Sequence, residues 1–529
     1  MPLSSPPDDL AGLQSALPGL PPHGRGTFCN RTLNLRTMKA IGYDMDYTLI
    51  HYRVEDWERH AYEHLRRKLA EQGFPVEDLT FDPQRMIRGL IIDSERGNIV
   101  KVNRFGYVKL GQHGTRKLEL NELRRVYGQA LSQLGGGGQM FVDTLFALSE
   151  ACMYAQLVDR LDAKQLPEAM GYRDLYAVVR RSLDEAHAEG QLKAEILANP
   201  DRFVELDPET ALALKDQRES GKKLILITNS EWHYTREMMA YAFDRFVPGG
   251  GSWKDLFDIV IVSSRKPGFF GGTNPMFEIV DDAQGLLRPC TNGMGTGKLH
   301  LGGNAKLLEA HLGLSGSEIL YVGDHIYADV LASKDVQRWR TALVLRELEP
   351  ELVALELFED GQRRLSALMH EKEAVELELA QVRLARQRKL AGYGPAVGPS
   401  RAALDRAVSA LKGEINALDD RIQPLAQAAG QVGNPHWGPL MRTGNDKSYL
   451  ARQVERYADI YTSRVSNLVY QTPFQFLLSP RGSLPHDLGF GKPPASARPD
   501  LETRVAARGG AEPAGAAKLD DTVTPKRAP

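Results

Sequence analysis

The stretch KAIGYDMDYTLIHYR, Lys39 to Arg53, decides how the chain is read. A short apolar run ends in Asp44 and Asp46, with Met45 between them and Thr48 just beyond. A strand sends alternate side chains to one face, so both carboxylates can leave the sheet into one space. Carboxylates that close repel each other unless a cation lies between them or one holds a proton. The pair therefore asks for a metal, and oxygen-only ligation suits Mg²⁺. A carboxylate beside metal and phosphate can also act as a nucleophile. Alone, the pattern reads equally well as a solvated Asp-x-Asp in a loop, and the remainder of the chain has to decide.

The 529 residues are enough for two to four domains and a sizeable core. A hydrophobic share of 42% with 25% charged residues is ordinary for a globular protein, and a formal net charge of -2 gives no field for nucleic acid or anionic membrane. Cys29, Cys152 and Cys290 are far apart, with no metal-ligand spacing and no disulfide framework, which fits a reducing compartment. The first 26 residues are Pro-rich and acidic where a signal peptide needs a basic start and an apolar run. No stretch is long and apolar enough to span a bilayer. These features imply a cytoplasmic protein with a flexible leader.

Further along, apolar runs repeatedly end in polar tips. Lys222 to Ser230, KKLILITNS, is a buried strand ending in Thr228, Asn229 and Ser230. In open parallel sheets, ligands bind at that C-terminal edge, where Thr228 and the backbone N–H groups beyond it can donate to phosphate oxygens. Leu256 to Ser263 is the next strand and runs into Arg265-Lys266-Pro267. Lys266 could neutralise a phosphoryl oxygen or simply lie at the surface. LSGSEILYVGDHIYADVLASK, from Leu314, is a strand, a glycine turn, and then Asp324 and Asp329 opening a helix. Acidic residues there are common as caps, but two after an apolar strand and Gly323 suggest more. WRTALVL, Trp339 to Leu345, is one more buried strand. Strand-turn units alternating with helices imply a parallel sheet that gathers Asp44, Asp46, Thr228, Lys266, Asp324 and Asp329 at one edge, a constellation suited to phosphoryl transfer.

Between the first two of these units lie a helix over Trp57 to Glu71, short strands from Ile87 to Tyr107 turning at Arg96-Gly97, and a four-glycine run at 135–138 read as a linker. Phe146 can fill core or stack on a base, and pattern alone favours core. Tyr172 to Leu197 reads as one charged helix, with Arg180, Asp184 and His187 on a shared face. Near the other end, Leu404, Val408, Leu411, Ile415, Leu418 and Ile422 form a heptad seam. With Leu365 to Leu390 and a short linker, they predict an antiparallel helical hairpin, a coiled-coil pairing. The segment from Trp437 to His486 is expected to pack back onto the core, and residues 490–529 to be disordered.

DMDYT, ITNS, RKP and GDHIYAD, in that order, resemble the four motifs of the haloacid-dehalogenase-like phosphohydrolases. SSRKPGFF at 263–270, YVGDHIYADVLASK at 321–334 and RYADIYTS at 456–463 resemble the cytosolic purine 5′-nucleotidases more closely. The resemblance covers roughly residues 27 to 487. It implies an α/β fold: a Rossmann-like parallel core at 27–54 and 215–350, an inserted cap over 55–214, the hairpin over 351–430 and a C-terminal segment over 431–489. The implied activity is Mg²⁺-dependent hydrolysis of purine nucleoside 5′-monophosphates of the IMP and GMP type, with nucleoside phosphotransfer as a second outlet and a homo-oligomer as the assembly.

By the same resemblance Asp44 is the nucleophile and Asp46 the general acid/base. Asp44, the Asp46 carbonyl and Asp324 hold Mg²⁺, with Asp329 behind them, while Thr228, Asn229 and Lys266 bind the phosphoryl group. Phe146, Arg180, Asp184, His187 and Lys193 match the family's nucleotide-recognition positions. Asp143, in place of an asparagine, and Ala188, in place of a tyrosine, depart from the family at positions tied to effectors and base preference. Two other readings remain: a phosphatase of the same type acting on another small phosphomonoester, and an inactive scaffold assembling through the hairpin. The second would be expected to have lost an essential carboxylate, and all are present.

Overall fold

The computed structural model describes residues 19–128, 138–166, 170–188, 190–291 and 293–480, without the side chains of 187 and 188. Most of the expected leader, most of the glycine run and the C-terminal tail lie outside the described residues.

Aliphatic and β-branched runs supply one ten-stranded sheet. Its strands are β1 (Thr27–Cys29), β2 (Ala40–Tyr43), β3 (Lys223–Ile227), β4 (Ile259–Val262), β5 (Met276–Asp281), β6 (Leu286–Pro289), β7 (Leu299–Gly302), β8 (Ile319–Gly323), β9 (Arg340–Val344) and β10 (Ile460–Thr462). Their order is β1-β10-β9-β8-β2-β3-β4-β7-β5-β6. The run from β10 to β7 is wholly parallel, whereas β1 at one edge and β5 and β6 at the other are antiparallel. Parallel strands need cover on both faces, which is why these segments read as unbroken apolar runs. Leu224 to Ile227 are fully buried, as are Ile319 to Tyr321.

The chain starts this parallel set at β2, steps one way to β3 and β4, then returns to the other side of β2 for β8 and β9. A crevice opens at such a reversal of strand order, beyond the strands' C-terminal ends. The register aligns the tips, since Tyr43 lies between Leu226 of β3 and Val322 of β8. The α/β class with a mostly parallel core is therefore as expected. Five sheet members were not anticipated: β5, β6 and β7, in which charged or polar residues interrupt the apolar ones, and β1 and β10, which pair across 433 positions. The C-terminal segment does more than pack on the core, because β10 extends the sheet beside β9.

The chain between β2 and β3 contributes a five-stranded antiparallel sheet (Arg116–Lys117, Val108–His113, Asn98–Val102, Ile91–Asp93, Gln139–Phe141) and helices α1 (Val54–Glu71), α2 (Leu148–Asp162), α3 (Tyr172–Ala188) and α4 (Gln191–Ala198). Helix α1 begins three residues before Trp57, with Glu55 and Asp56 in its first turn, where acids suit the helix dipole. The single helix expected over Tyr172 to Leu197 is two, because Gly190 adopts a left-handed φ of 74° that breaks the run.

Among the described residues, those up to 357 and from 430 onward form one compact unit and 358–429 form a second. The second is the expected hairpin, α5 (Glu359–Ala391) and α6 (Arg401–Ala429). Leu404, Leu411, Leu418 and Ile422 are buried against Leu365, Leu368, Val375, Leu379 and Val382, with Val408 and Ile415 partly buried beside them. No helix among the described residues is long and apolar enough to cross a membrane.

Candidate active site

Asp44 is the first residue past β2, and its N–H donates to Val322 of β8 at 2.9 Å. Asp324 directly follows β8, and Thr228 directly follows β3, so sheet register alone brings the three tips together. Lys266 arrives on the loop after β4. Its Nζ lies 2.7 Å from Asp44 Oδ1 and 2.8 Å from Asp329 Oδ1, and it donates to the Tyr321 hydroxyl at 3.0 Å. Ligand oxygens of Asp44, Asp324 and Asp329 all lie within 4.8 Å of one another. Gly323 makes this approach possible, since a Cβ there would sit 2.5 Å from Asp329 Oδ2.

Three buried carboxylates face one ammonium, and the charges do not balance. Burial pushes Asp44 up to about 7, against the pull of Lys266, and with Asp329 and Asp46 adding to the rise. Burial, then Asp329 and Asp44, hold Asp324 well above its ordinary value. Burial works against the Lys266 charge, but Asp329 and Asp44 keep its pKa well above normal. Asp324 Oδ2 is buried and without a hydrogen-bond partner. An orphaned carboxylate oxygen inside an all-oxygen cluster is what a hard divalent cation such as Mg²⁺ would satisfy.

Asp46 stands apart from that cluster. Tyr52 donates to its Oδ1 at 2.5 Å and Ser230 to its Oδ2 at 2.7 Å. Burial and Asp46 itself hold Tyr52 well above its usual pKa, so it remains a donor. The side chain of Asp46 is thus tied to hydroxyls, and the cluster consists of Asp44, Asp324 and Asp329 alone. Asn229 spends its hydrogen bonds on the lysine loop: Oδ1 accepts from Ser264 Oγ and Lys266 N, and Nδ2 donates to Lys266 O. That geometry makes Asn229 a support for Lys266, where a substrate contact was expected. Thr228 is fully buried, and its Oγ1 accepts from Ser230 N at 3.1 Å.

The nucleotide-recognition positions separate. Lys193 reaches the site, donating to Ser230 Oγ at 3.2 Å and to Glu231 Oε2 at 3.0 Å. Phe146 is half-buried, edge-on to Tyr47 with centroids 4.6 Å apart and to Trp57 at 5.4 Å, so it stands beside the residue that follows Asp46. Arg180 pairs with buried Glu150 at 2.8 Å and with Asp184 at 3.4 Å. Arg180 and Asp184 line a cavity of about 640 Å³ with Ser94, Met140 and Tyr176, and no residue of the carboxylate cluster borders it. The His187 side chain lies outside the described residues. Asp143 lies 3.1 Å from His325, next to Asp324.

Four contributors escaped the sequence reading. Ser230 and Tyr321 lie inside the quoted motifs, where alternation past Thr228 could have flagged the first. Tyr52 had no distinguishing signal, nor had Arg88. The guanidinium of Arg88 is fully buried, donates to the Asp324 carbonyl at 2.9 Å and pairs with Glu347.

A family model described as "5′ nucleotidase family" matches residues 27–489. A 5′-nucleotidase domain-containing protein of Dictyostelium discoideum is 27% identical over 502 residues, covering 89% of this chain and 76% of the relative. Two solved structures of CbbY from Rhodobacter sphaeroides, one with phosphate and one a variant with xylulose-(1,5)bisphosphate, are each 13% identical. Each match covers 58% of this chain and 86% of the other, with TM-scores of 0.23 and 0.24.

Proposed function

The chain belongs to the 5′ nucleotidase family, an enzyme family of nucleoside monophosphate hydrolysis, and from that premise we propose that it cleaves purine nucleoside 5′-monophosphates through an aspartyl-phosphate. The observation that carries this reading is the division of labour between two aspartates one residue apart. Asp44 is held by Lys266 among carboxylates, while Asp46 is held by Tyr52 and Ser230. Neighbouring carboxylates with different partners can take the different roles of a nucleophile and its acid partner, and a cation beside Asp44 would favour its ionised form against burial.

Asp44 attacks phosphorus and the bond to the 5′ oxygen breaks, with Asp46 delivering the proton to that oxygen. Asp46, now ionised, takes a proton from water as the water attacks the aspartyl-phosphate, and Asp44 is restored with release of phosphate. A nucleoside hydroxyl in place of the water gives phosphotransfer. Lys266 and Thr228 neutralise and orient the phosphoryl oxygens. Asp44, Asp324, the Asp46 carbonyl and, behind them, Asp329 would hold Mg²⁺, which when bound supplies charge neutralisation for the phosphoryl group. Phe146 offers an aromatic edge next to Asp46 for a purine, which a sugar phosphate does not need.

The test is phosphate release with and without Mg²⁺ from IMP, GMP, AMP, UMP, a deoxynucleotide and a hexose phosphate. Mg²⁺-dependent release favouring the purine substrates, abolished by Asp44→Asn, is expected. Release from the hexose phosphate alone would leave the aspartate chemistry and remove the purine assignment. Undiminished turnover by Asp44→Asn would remove the nucleophile.

A further inference from the structure

Among the described residues, two groups of side chains converge with metal-binding geometry: the carboxylate cluster already described, and His60, His64 and Glu195. The second group has no part in the chemistry above. His60 and His64 lie one turn apart on α1, so both imidazoles project from the same face. Glu195 comes from α4, across the helix interface. Its Oε2 is 2.9 Å from His60 Nε2 and 3.4 Å from His64 Nε2, and the three donor atoms lie within 4.8 Å of one another. A four-coordinate zinc with bonds of about 2.1 Å separates its ligand atoms by about 3.4 Å.

The contacts made by these nitrogens set the group apart from a simple ion pair. His60 Nε2 is buried and forms no hydrogen bond, although Glu195 Oε2 lies 2.9 Å away. A buried imidazole nitrogen without a partner is costly, and here it faces a second imidazole nitrogen and a carboxylate oxygen. The His64 Nε2 contacts the exposed Arg67 guanidinium at 3.0 Å, a cation already seated where positive charge is favoured.

We propose that His60, His64 and Glu195 form a second metal site, for a borderline divalent transition ion of the zinc type, that clamps α1 to α4. Two imidazoles and one carboxylate suit zinc, whereas Mg²⁺ prefers oxygen donors and would go to the aspartates. Lys193, which reaches Ser230 beside Asp46, is two positions before Glu195 on the same short helix, so the ion fixes the helix that carries this lysine.

Zinc is titrated into the full chain in excess Mg²⁺, with a chromophoric zinc indicator as competitor. Wild type is expected to bind zinc with an affinity that falls at least tenfold in His64→Gln and in Glu195→Gln. The affinity rises in Arg67→Ala, because the competing cation is gone; a structural ion pair would not give that gain. Zinc also raises the melting temperature of wild type and not of Glu195→Gln, whose exposed position leaves its zinc-free melting unchanged. Equal zinc affinity in wild type and both ligand variants overturns the site. Loss in His64→Gln alone, with Glu195→Gln and Arg67→Ala unchanged, overturns it as well by removing the carboxylate.

Discussion

At the scale of single residues, the proposed chemistry depends on side chains that never touch substrate. Arg88 is the sharpest case. It donates to the Asp324 carbonyl, and its charge draws the pKa of Asp324 down against burial. Replacing it by methionine leaves that carbonyl unheld and the Asp324 carboxylate harder to ionise, so more Mg²⁺ is needed for half-maximal turnover; supporting residues of this kind are typically worth 10- to 100-fold in affinity. Breaking the pair with Glu347 also costs roughly 3 kcal/mol of stability. Arg88→Met with Glu347→Gln is expected to recover melting while keeping the raised Mg²⁺ requirement. An unchanged Mg²⁺ titration in both variants would reduce Arg88 to a packing residue. Ser230→Ala frees one oxygen of Asp46, and kcat is expected to fall about 10- to 100-fold with little change in KM. A pure KM effect would assign Ser230 to substrate binding. Asp44, Thr228, Lys266 and Asp324 could be read from the sequence because each is a local event, an apolar run ending in a polar tip. Arg88 could not, because its partners Asp324 and Glu347 lie 236 and 259 positions away.

At the scale of elements, periodicity identified those whose pattern is long and missed those whose pattern is short. The parallel strands β2, β3, β4, β8 and β9 are apolar runs and were legible, while β5 and β6 include Glu278, Asp281 and Arg288 and gave no strand signal. The split of α3 from α4 was missed for a physical reason: helical spacing continues across Gly190, and only its left-handed backbone ends the run. That split matters, since it lets α4 turn Lys193 and Glu195 to different neighbours. The hairpin was legible because a heptad seam is redundant over many turns. Leu411 is fully buried at its middle. Leu411→Ala is therefore expected to cost about 2–5 kcal/mol in the helical pair, read as faster amide hydrogen exchange across 359–429. A change in protection below tenfold would mean the seam collapses around the truncation.

At the scale of the whole molecule, distant parts of the chain meet around His51. The two-residue strands His51–Tyr52 and Val204–Glu205 pair there, and Arg464, from the C-terminal segment, joins Glu349 at 2.8 Å and Asp207 at 3.5 Å. Arg346 pairs with Glu205 at 2.6 Å. Both ring nitrogens of His51 are buried without a hydrogen-bond partner. Burial, then the Arg346 charge, with Arg464 behind it, lowers its pKa to about 4, against the opposing pull of Asp207 and Glu205. An unfolded histidine titrates near 6.5, so between those values the unfolded chain binds the extra proton and the folded one does not. The depressed group thus contributes stability that is fully present above about pH 6.5 and is lost as the pH falls through 4. A shift of that size corresponds to roughly 3–4 kcal/mol between the two limits. His51→Gln removes the titration, and its unfolding free energy is expected to decline less steeply than that of wild type from pH 7 to pH 4, as measured by denaturant melts at each pH. Parallel curves would mean that the acid sensitivity belongs to the surrounding carboxylates, whose protonation unties the same arginines from the other side.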